Sequence, residues 1–99
     1  MLKVFVSQPM KGKTKEEILK EKELAIQDIK KLFDEDNIEV IDSYFEDFEP
    51  DTHPLVYLAR SIELLAQADI AYFVEGWKYA RGCLVEHVCA KLYGIIVID

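Results

Sequence analysis

One acidic side chain stands where a helix would present it to a ligand. Glu86 follows Gly82 by four residues in a segment with helical spacing, so both residues share one helix face. Helical side chains lean toward the amino terminus of the helix, and Gly82 has no side chain to cover the carboxylate. A carboxylate placed in this way can act as a nucleophile or can accept a hydrogen bond from a ribose. An ordinary solvated glutamate is the competing interpretation of the same spacing.

The loop at residues 7–13, SQPMKGK, offers polar atoms for a phosphate or a base. Ser7, Gln8 and the backbone of residues 10–12 could make these contacts, and Gly12 permits a tight turn. The loop lacks the Gly-Lys-Ser/Thr ending of a P-loop. As a pattern the loop is therefore weak, and a plain connecting loop is the better interpretation of these residues alone.

Two further residues could touch a ligand, Trp77 before the helix and Arg81 at its start. Arg81 lies where the helix dipole disfavours a cation, so it indicates an anionic partner or a surface position. Trp77 stacks on a base or covers the core.

His87 turns about 100° away from Glu86, so we expect it on the surface or in an interface. Together with His53 it makes no metal-ligand spacing, and no Ser-His-Asp set is evident, so we predict no metal and no cofactor.

Composition excludes several classes of partner. The net charge of −7 argues against a nucleic acid polymer and against an anionic membrane. Nine acidic residues and no Lys or Arg lie in residues 34–51, which predicts a solvated loop, because no calcium-binding pattern accompanies them. Cys83 and Cys89 are spaced too far apart to bridge. We therefore expect reduced thiols, a cytoplasmic protein and no membrane segment.

Hydrophobic periodicity places four strands and three helices along the chain. The predicted strands are 2–6, 38–41, 70–74 and 95–98. The predicted helices begin after Thr14 in a capping box and end near 34–37, span 55–66, and span about 80–93 before Gly94. The apolar faces of the first two helices are predicted to contain Ile18, Ala25, Ile29 and Leu32, and Leu55, Leu58, Ala59, Ile62, Leu65 and Ala66.

The alternation of strands and helices predicts an α/β fold. We expect one small flavodoxin-like or Rossmann-like domain over residues 1–99, with a parallel sheet of order 2-1-3-4 and helices on both faces. Ligands of such folds bind beyond the carboxyl ends of the strands, here between strands one and three. Residues 7–13, 42–54 and 75–82 follow those strand ends, so the candidate residues above converge on one crevice.

Two segments carry a resemblance to a known family: VFVSQPMKGKT at residues 4–14 and ADIAYFVEGWKYARGCLVEHVCAKLYGIIVI at residues 68–98. The sequence resembles the nucleoside 2-deoxyribosyltransferase-like superfamily, most of all its small uncharacterised bacterial and phage branch. This resemblance implies that Glu86 attacks C1′ of a deoxyribose in a nucleoside or nucleotide. It also implies that the two motifs line the ligand site, through Ser7, Gln8, Pro9, Met10, Gly12, Gly76, Trp77, Arg81 and Gly82.

The chain departs from the catalytic relatives at two positions. They carry an Asp eight residues before Asp69, where this chain has Ser61, and a polar residue where it has Ala80. Asp69 itself is expected to brace the structure. The acids that could substitute are Glu63, Asp47 and Asp51. The relatives also assemble into dimers or larger complexes, and the exposed aromatic residues Tyr44, Phe45 and Phe48 fit a homo-oligomer.

Three functions follow from these observations. The first is an N-glycosidase or 2-deoxyribosyltransferase with Glu86 as nucleophile. The second is a non-catalytic module that binds a nucleotide or a nucleotide-derived ligand, which the changes at Ser61 and Ala80 favour. The third is an assembly protein in which Glu86 and Trp77 are interface residues.

Overall fold

Four parallel strands form one sheet, in the order β2-β1-β3-β4. This architecture is seen in a computed structural model that describes residues 1–43 and 49–99. The strands are β1 (Leu2–Ser7), β2 (Ile38–Val40), β3 (Ile70–Phe73) and β4 (Ile96–Ile98). The helices are α1 (Lys15–Leu32), α2 (Pro54–Leu65) and α3 (Arg81–Leu92), with short 3-10 helices at Glu35–Asn37 and Trp77–Tyr79. The predicted α/β class and the predicted strand order are confirmed.

The two faces of the sheet are covered by different helices. Ala25 and Ile29 of α1 pack with Val4, Val6 and Ile70 on one face. On the other face, side chains from α2 and α3 pack against β1 and β3; this second cluster contains Phe5, Leu65, Ala71, Phe73 and Ala90. Because successive strand residues point to opposite faces, neighbouring residues of one strand serve both clusters.

The helices α1 and α2 begin with different side-chain caps. Thr14 starts α1, where its hydroxyl accepts from the Glu17 N–H and the Glu17 carboxylate accepts from the Thr14 N–H. This confirms the predicted capping box. His53 caps α2 by accepting the Leu55 N–H at Nδ1, 3.1 Å away. Among residues 1–43 and 49–99, no helix combines the length and the apolar character needed to cross a membrane.

The first helix ends earlier than its pattern predicts. It stops at Leu32 rather than near 34–37, and Leu32 is exposed. The reason is local: the Asp34 carboxylate accepts from the Asp36 N–H at 3.2 Å and starts a 3-10 turn in place of another helical turn.

The apolar face of α2 is narrower than predicted. Leu55, Ala59 and Ala66 were expected to face the core, yet all three are exposed. Leu65 is buried, and the inward side of the helix also holds the partly buried Leu58. A helix that packs over one strand pair needs only a narrow apolar stripe, so periodicity alone overestimated the covered face.

Asp69 joins three strands at the amino end of the sheet. Its carboxylate accepts the Lys3 N–H at 2.8 Å, and its own N–H donates to the Lys3 carbonyl at 2.8 Å. Its carbonyl accepts the Ile96 N–H at 3.2 Å. Asp69 therefore braces β1, β3 and β4, as expected from the sequence.

Replacing Asp69 should affect stability through this carboxylate. We expect Asp69→Ala to lower the free energy of unfolding by about 1 kcal/mol, because the Lys3 N–H loses its acceptor. Asp69→Asn keeps a side-chain oxygen and should lose less than half as much. Urea unfolding of both variants measures the difference. Equal losses in the two variants would show that the acceptor does not brace the strands.

Candidate functional site

The candidate site lies at the carboxyl end of β1, where α3 passes. Ser7 is the last residue of β1 and pairs with Phe73, the last residue of β3. Its hydroxyl donates to Oε1 of Glu86 at 2.7 Å. Ser7 is 2% exposed and Glu86 is 7% exposed, so a charged group and its donor are both removed from solvent. The structure thus brings together the first loop and the helix carboxylate that the sequence singled out.

Burial changes the acidity of Glu86. Loss of solvation raises the pKa of its carboxyl from 4.5 to about 6, because the charged form is poorly solvated inside the protein. Hydrogen bonds from the Ser7 and Ser61 hydroxyls lower the pKa, but by less than burial raises it. Near neutral pH the group is therefore ionised and held by hydroxyl donors.

Ser61 is a contact of Glu86 that the sequence does not predict. The sequence shows only the loss of an Asp at this position, yet α2 brings the Ser61 hydroxyl to the Glu86 carboxylate. The signal was present in the spacing, because Ser61 lies three residues after Leu58 and four before Leu65 on the inward face of α2. A polar residue within an apolar stripe indicates a buried polar partner.

A thiol completes the immediate surroundings of the carboxylate. Burial, above all, raises the pKa of Cys83 to about 11, and the negative charge of Glu86 raises it further. A hydrogen bond with Ser7 and the charge of Lys13 act in the opposite direction. Cys83 is therefore a neutral, free thiol at physiological pH and not a nucleophile. The same interactions place the Lys13 ammonium, which also pairs with Glu21 at 2.8 Å, within electrostatic reach of the site.

Gly82 leaves open space one turn before Glu86. A methyl group built at Gly82 would meet no atom within 4 Å, apart from its own helix and chain neighbours. Its backbone is helical, unlike that of Gly12 and Gly76, whose φ angles are +79° and +94°. Neither crowding nor backbone conformation requires a glycine here, although glycine inside a helix costs up to about 1 kcal/mol relative to alanine.

The first loop is tied to its surroundings by two different residues. Gln8 is buried, and its Nε2 donates to the carbonyl of Ile18 in α1 at 2.9 Å. The Nε2 group of Gln8 therefore holds the first loop against α1 and does not face a ligand. Pro9 lies against Gly76, since a methyl group on Gly76 would be 3.7 Å from Pro9 Cγ. The two predicted ligand loops are thus in contact.

Three of the predicted ligand residues lie at the surface. Met10, Gly12 and Arg81 are all exposed. Ala80 precedes α3 and offers the helix no side-chain cap, so the first N–H groups of α3 have no side-chain acceptor at the N-cap position. The substitute acids Glu63 and Asp51 are exposed, while Asp47 lies outside the described residues, as do Tyr44, Phe45 and Phe48.

His87 was expected at the surface or in an interface, and the structure packs it among aromatic side chains with 15% of its side chain exposed. Its ring stacks on Trp77 with centroids 4.0 Å apart and planes 15° apart, and Phe73 meets it edge-on at 4.8 Å. Its Nε2 lies 2.8 Å from Oδ2 of Asp99, and this hydrogen bond is the main reason that the pKa of Asp99 is lowered. The side of α3 that faces the core lies between the directions of Glu86 and His87. Because these residues are 100° apart on the helix, Glu86 lies at one edge of the buried side and His87 at the other edge.

A cleft of about 430 Å³ lies beside these aromatic residues. It is lined by Tyr72, Phe73, Glu75, Gly76, Trp77, Lys78, Tyr79 and Asp99. Gly76 and Trp77 therefore face this cleft, whereas Glu86 is not part of its lining. One ring face of Trp77 is occupied by His87, and the Lys78 ammonium lies over the same ring, 5.8 Å from its centroid.

Comparisons of the chain with known protein families, with curated proteins and with solved structures find no match. In the described ranges 1–43 and 49–99, no group of three or more His, Cys, Asp or Glu residues is arranged to hold a metal ion. The geometry of the Glu86 site is therefore the basis for any assignment of function.

The raised pKa of Glu86 predicts a specific pH dependence of stability. The folded protein keeps the Glu86 proton up to about pH 6, whereas the unfolded chain releases it near pH 4.5. Since the folded state binds more protons in this window, stability falls as the pH rises through it, by about 2 kcal/mol. Glu86→Gln cannot ionise, so its stability relative to wild type should increase by that amount between pH 4 and pH 7.

Urea unfolding at several pH values measures this difference. Glu23→Gln, an exposed substitution on α1 with the same change of charge, is the control and should stay parallel to wild type. If Glu86→Gln also stays parallel, the carboxyl of Glu86 does not titrate as a buried acid.

Proposed function

We propose that the protein is a nucleoside or nucleotide N-glycosidase, or a 2-deoxyribosyltransferase, with Glu86 as the nucleophile at C1′ of a deoxyribose. The observation that carries this proposal is a buried carboxylate one turn after a glycine that the fold does not need. The open space at Gly82 supports the approach of a sugar to the carboxylate. The resemblance of residues 4–14 and 68–98 to the deoxyribosyltransferase-like motifs supports the choice of substrate.

The chemistry is a double displacement. A carboxylate oxygen of Glu86 attacks C1′ while the bond from C1′ to the base nitrogen breaks, and the base leaves with the bonding electrons. The leaving base takes a proton from water. Water or a second base then attacks C1′ and loses its proton to solvent, and the ester bond from C1′ to Glu86 breaks, which restores the carboxylate. The configuration at C1′ is retained because it is inverted twice.

The hydroxyls of Ser7 and Ser61 have a defined part in this scheme. They donate to the carboxylate of Glu86, so they fix its orientation and favour its ionised form. The charged oxygen is thereby held in one direction before the sugar arrives, which reduces the entropy lost in the reaction. Each hydroxyl also stabilises the carboxylate of Glu86 before the reaction. A carboxylate oxygen can therefore attack only when the sugar displaces a hydroxyl from it.

The residues around the carboxylate favour a phosphate on the substrate. Lys13 lies within electrostatic reach of the site, and exposed Lys11 belongs to the same loop. The N-terminus of α3 adds backbone N–H groups without a side-chain cap.

We propose a small nucleoside or nucleotide as the ligand, and we propose that the protein binds it in the cytoplasm. The protein acts without a cofactor, away from nucleic acid polymers and membranes, and as a homo-oligomer.

A binding module for a nucleotide or nucleotide-derived ligand is the second candidate. The observation that favours it is the hydroxyl of Ser61 at the carboxylate, where a catalytic relative is expected to place an acid. Without an acid, the leaving base has no protein group to protonate it, which slows the release of poor leaving groups most. Glu86 would then accept hydrogen bonds from a ribose and form no covalent bond.

Base release separates the two candidates. Incubation with a panel of deoxynucleosides and their 5′-monophosphates, followed by chromatography, should show free base. Glu86→Gln should reduce the rate by at least roughly a thousandfold, because the nucleophile is lost. Glu23→Gln should not change it. The wild-type rate should rise through about pH 6 as the carboxyl of Glu86 ionises. Tight binding without base release would support the module, and neither binding nor release would exclude both.

Gly82→Ala tests the open path to the carboxylate. The added methyl group meets nothing in the protein and alanine favours a helix, so stability should rise by up to about 1 kcal/mol. Base release or ligand affinity should nevertheless fall by about tenfold or more, because the methyl group occupies the path of the sugar. Thermal unfolding and the base-release assay measure the two effects. A stabilised protein with unchanged activity would show that no ligand passes Gly82.

A further inference from the structure

The short turn Trp77–Tyr79, which leads from β3 to α3, has few contacts of its own. None of its three residues is fully buried, and Gly76 before it offers no side-chain cap. Tyr79 at its end is 93% exposed. The ring of Trp77 packs against the core beside Phe73, with ring centroids 5.5 Å apart. The position of this turn therefore depends mainly on the contacts of the Trp77 ring.

His87 of α3 makes a closer contact with that ring than Phe73 does. The two rings are stacked, with centroids 4.0 Å apart. The imidazole is held in turn by Asp99, which directly follows β4, because Nε2 of His87 lies 2.8 Å from Oδ2 of Asp99. The side chain of Asp99 stays 44% exposed, so this pair adds little stability. Its main effect is to set the direction of the His87 ring.

The position of His87 separates it from the ligand cleft by one layer. Trp77 and Asp99 both line the cleft of about 430 Å³, whereas His87 is not part of this lining. His87 therefore lies behind the wall that Trp77 presents to a ligand. Because Glu86 and His87 are consecutive residues at opposite edges of the buried side of α3, one helix positions both the proposed nucleophile and this wall.

The contact at Trp77 also reaches the first loop. Gly76, directly before Trp77, has a φ of +94° and lies against Pro9, since a methyl group on Gly76 would be 3.7 Å from Pro9 Cγ. Pro9 lies two residues after Ser7, the donor to Glu86. A displacement of Trp77 would therefore move Gly76 away from the loop that supplies this donor.

We propose that His87 and Asp99 are positioning residues, which fix Trp77 as a wall of the ligand cleft. This inference rests on the proposed function, because it requires that the ligand of the Glu86 site extends into this cleft. His87 acts through Trp77, and Asp99 acts through His87. Side chains that hold a binding wall in one orientation reduce the entropy lost when the ligand binds. Their role is therefore in affinity and not in the attack on C1′.

Fluorescence tests the positioning without any ligand, because Trp77 is the only tryptophan of the chain. His87→Leu removes the stacked ring and its bond to Asp99, so the rate of quenching by acrylamide should rise by at least about twofold. Asp99→Ala should raise the rate by less. Asp99→Asn keeps a side-chain oxygen for Nε2 and should resemble wild type. Asp99 is exposed, so both of its variants should fold, and thermal unfolding checks this for every variant.

Two comparisons make the result specific. Asp36→Ala removes the same charge from an exposed residue before β2, at the opposite end of the sheet, and should leave the quenching unchanged. His87→Phe keeps a ring but has no nitrogen for Asp99. Adding Asp99→Ala to His87→Phe should therefore have no further effect, because Asp99 acts only through His87.

The base-release assay with deoxynucleoside 5′-monophosphates tests the link to the ligand. His87→Leu should raise KM by about tenfold and change kcat by less than about twofold, because Glu86 and its donors remain in place. If kcat falls while KM is unchanged, His87 acts in the reaction and the proposal is wrong. Unchanged quenching in His87→Leu also overturns it, as does an effect of Asp99→Ala that persists in His87→Phe.

Failure of the proposed function gives a different result. A wild-type chain that binds the monophosphates but releases no base contradicts the N-glycosidase, and the dissociation constant then replaces KM in the comparison. A chain that neither binds them nor releases base removes the ligand from this inference. The quenching of Trp77 decides in either case whether His87 and Asp99 hold the turn.

Discussion

The hydrogen bond from the Ser7 hydroxyl to the Glu86 carboxylate joins residues 79 positions apart, and the rest of the site depends on it. It can form only if β1 and β3 are adjacent and parallel, because α3 must start at the same edge of the sheet where β1 ends. The crossover through α2 then brings Ser61 to the same carboxylate. One buried charge thus receives donors from two elements that the fold brings together.

This arrangement has an energetic cost that is concentrated in α3. The buried carboxylate of Glu86 is destabilising when ionised, the helix has no side-chain cap at Ala80, and Gly82 weakens its first turn. By contrast, α1 has the full capping box at Thr14 and acidic residues in its first turn. Residues that lower the stability of one helix, while another helix of the same protein has favourable residues, are typical of a site under functional constraint.

Much of this fold could be predicted from the sequence because it depends on strong periodic signals. Apolar strands separated by amphipathic helices are sufficient to predict a parallel sheet with right-handed crossovers. The strand order 2-1-3-4 does not follow from this alternation, because it is only one of the orders that such sheets adopt. The end of α1 was missed because the Asp34 side chain competes locally with the helix. A single side-chain hydrogen bond of this kind contributes little energy. A hydrophobic pattern averaged over many residues therefore does not detect it.

The site was predicted less completely, because its details depend on directions in space. Spacing could place Glu86 and Gly82 on one face of α3, but could not tell which neighbour would donate to the carboxylate. Spacing also could not show that the Ser61 hydroxyl would reach this carboxylate. The position of His87 depends on the centre of the buried side of α3, which the angle from Glu86 alone does not give.

The apolar residues of α3 show the limit of such patterns most clearly. Hydrophobic spacing reports that a surface is removed from water, but it does not distinguish burial within one chain from burial between two. On α3 the inward arc is interrupted by the carboxylate of Glu86, while the outward arc exposes Leu84, Val88 and Leu92. The pattern of α3 therefore does not distinguish a helix that packs only on its own sheet from one that is also covered on its outer side.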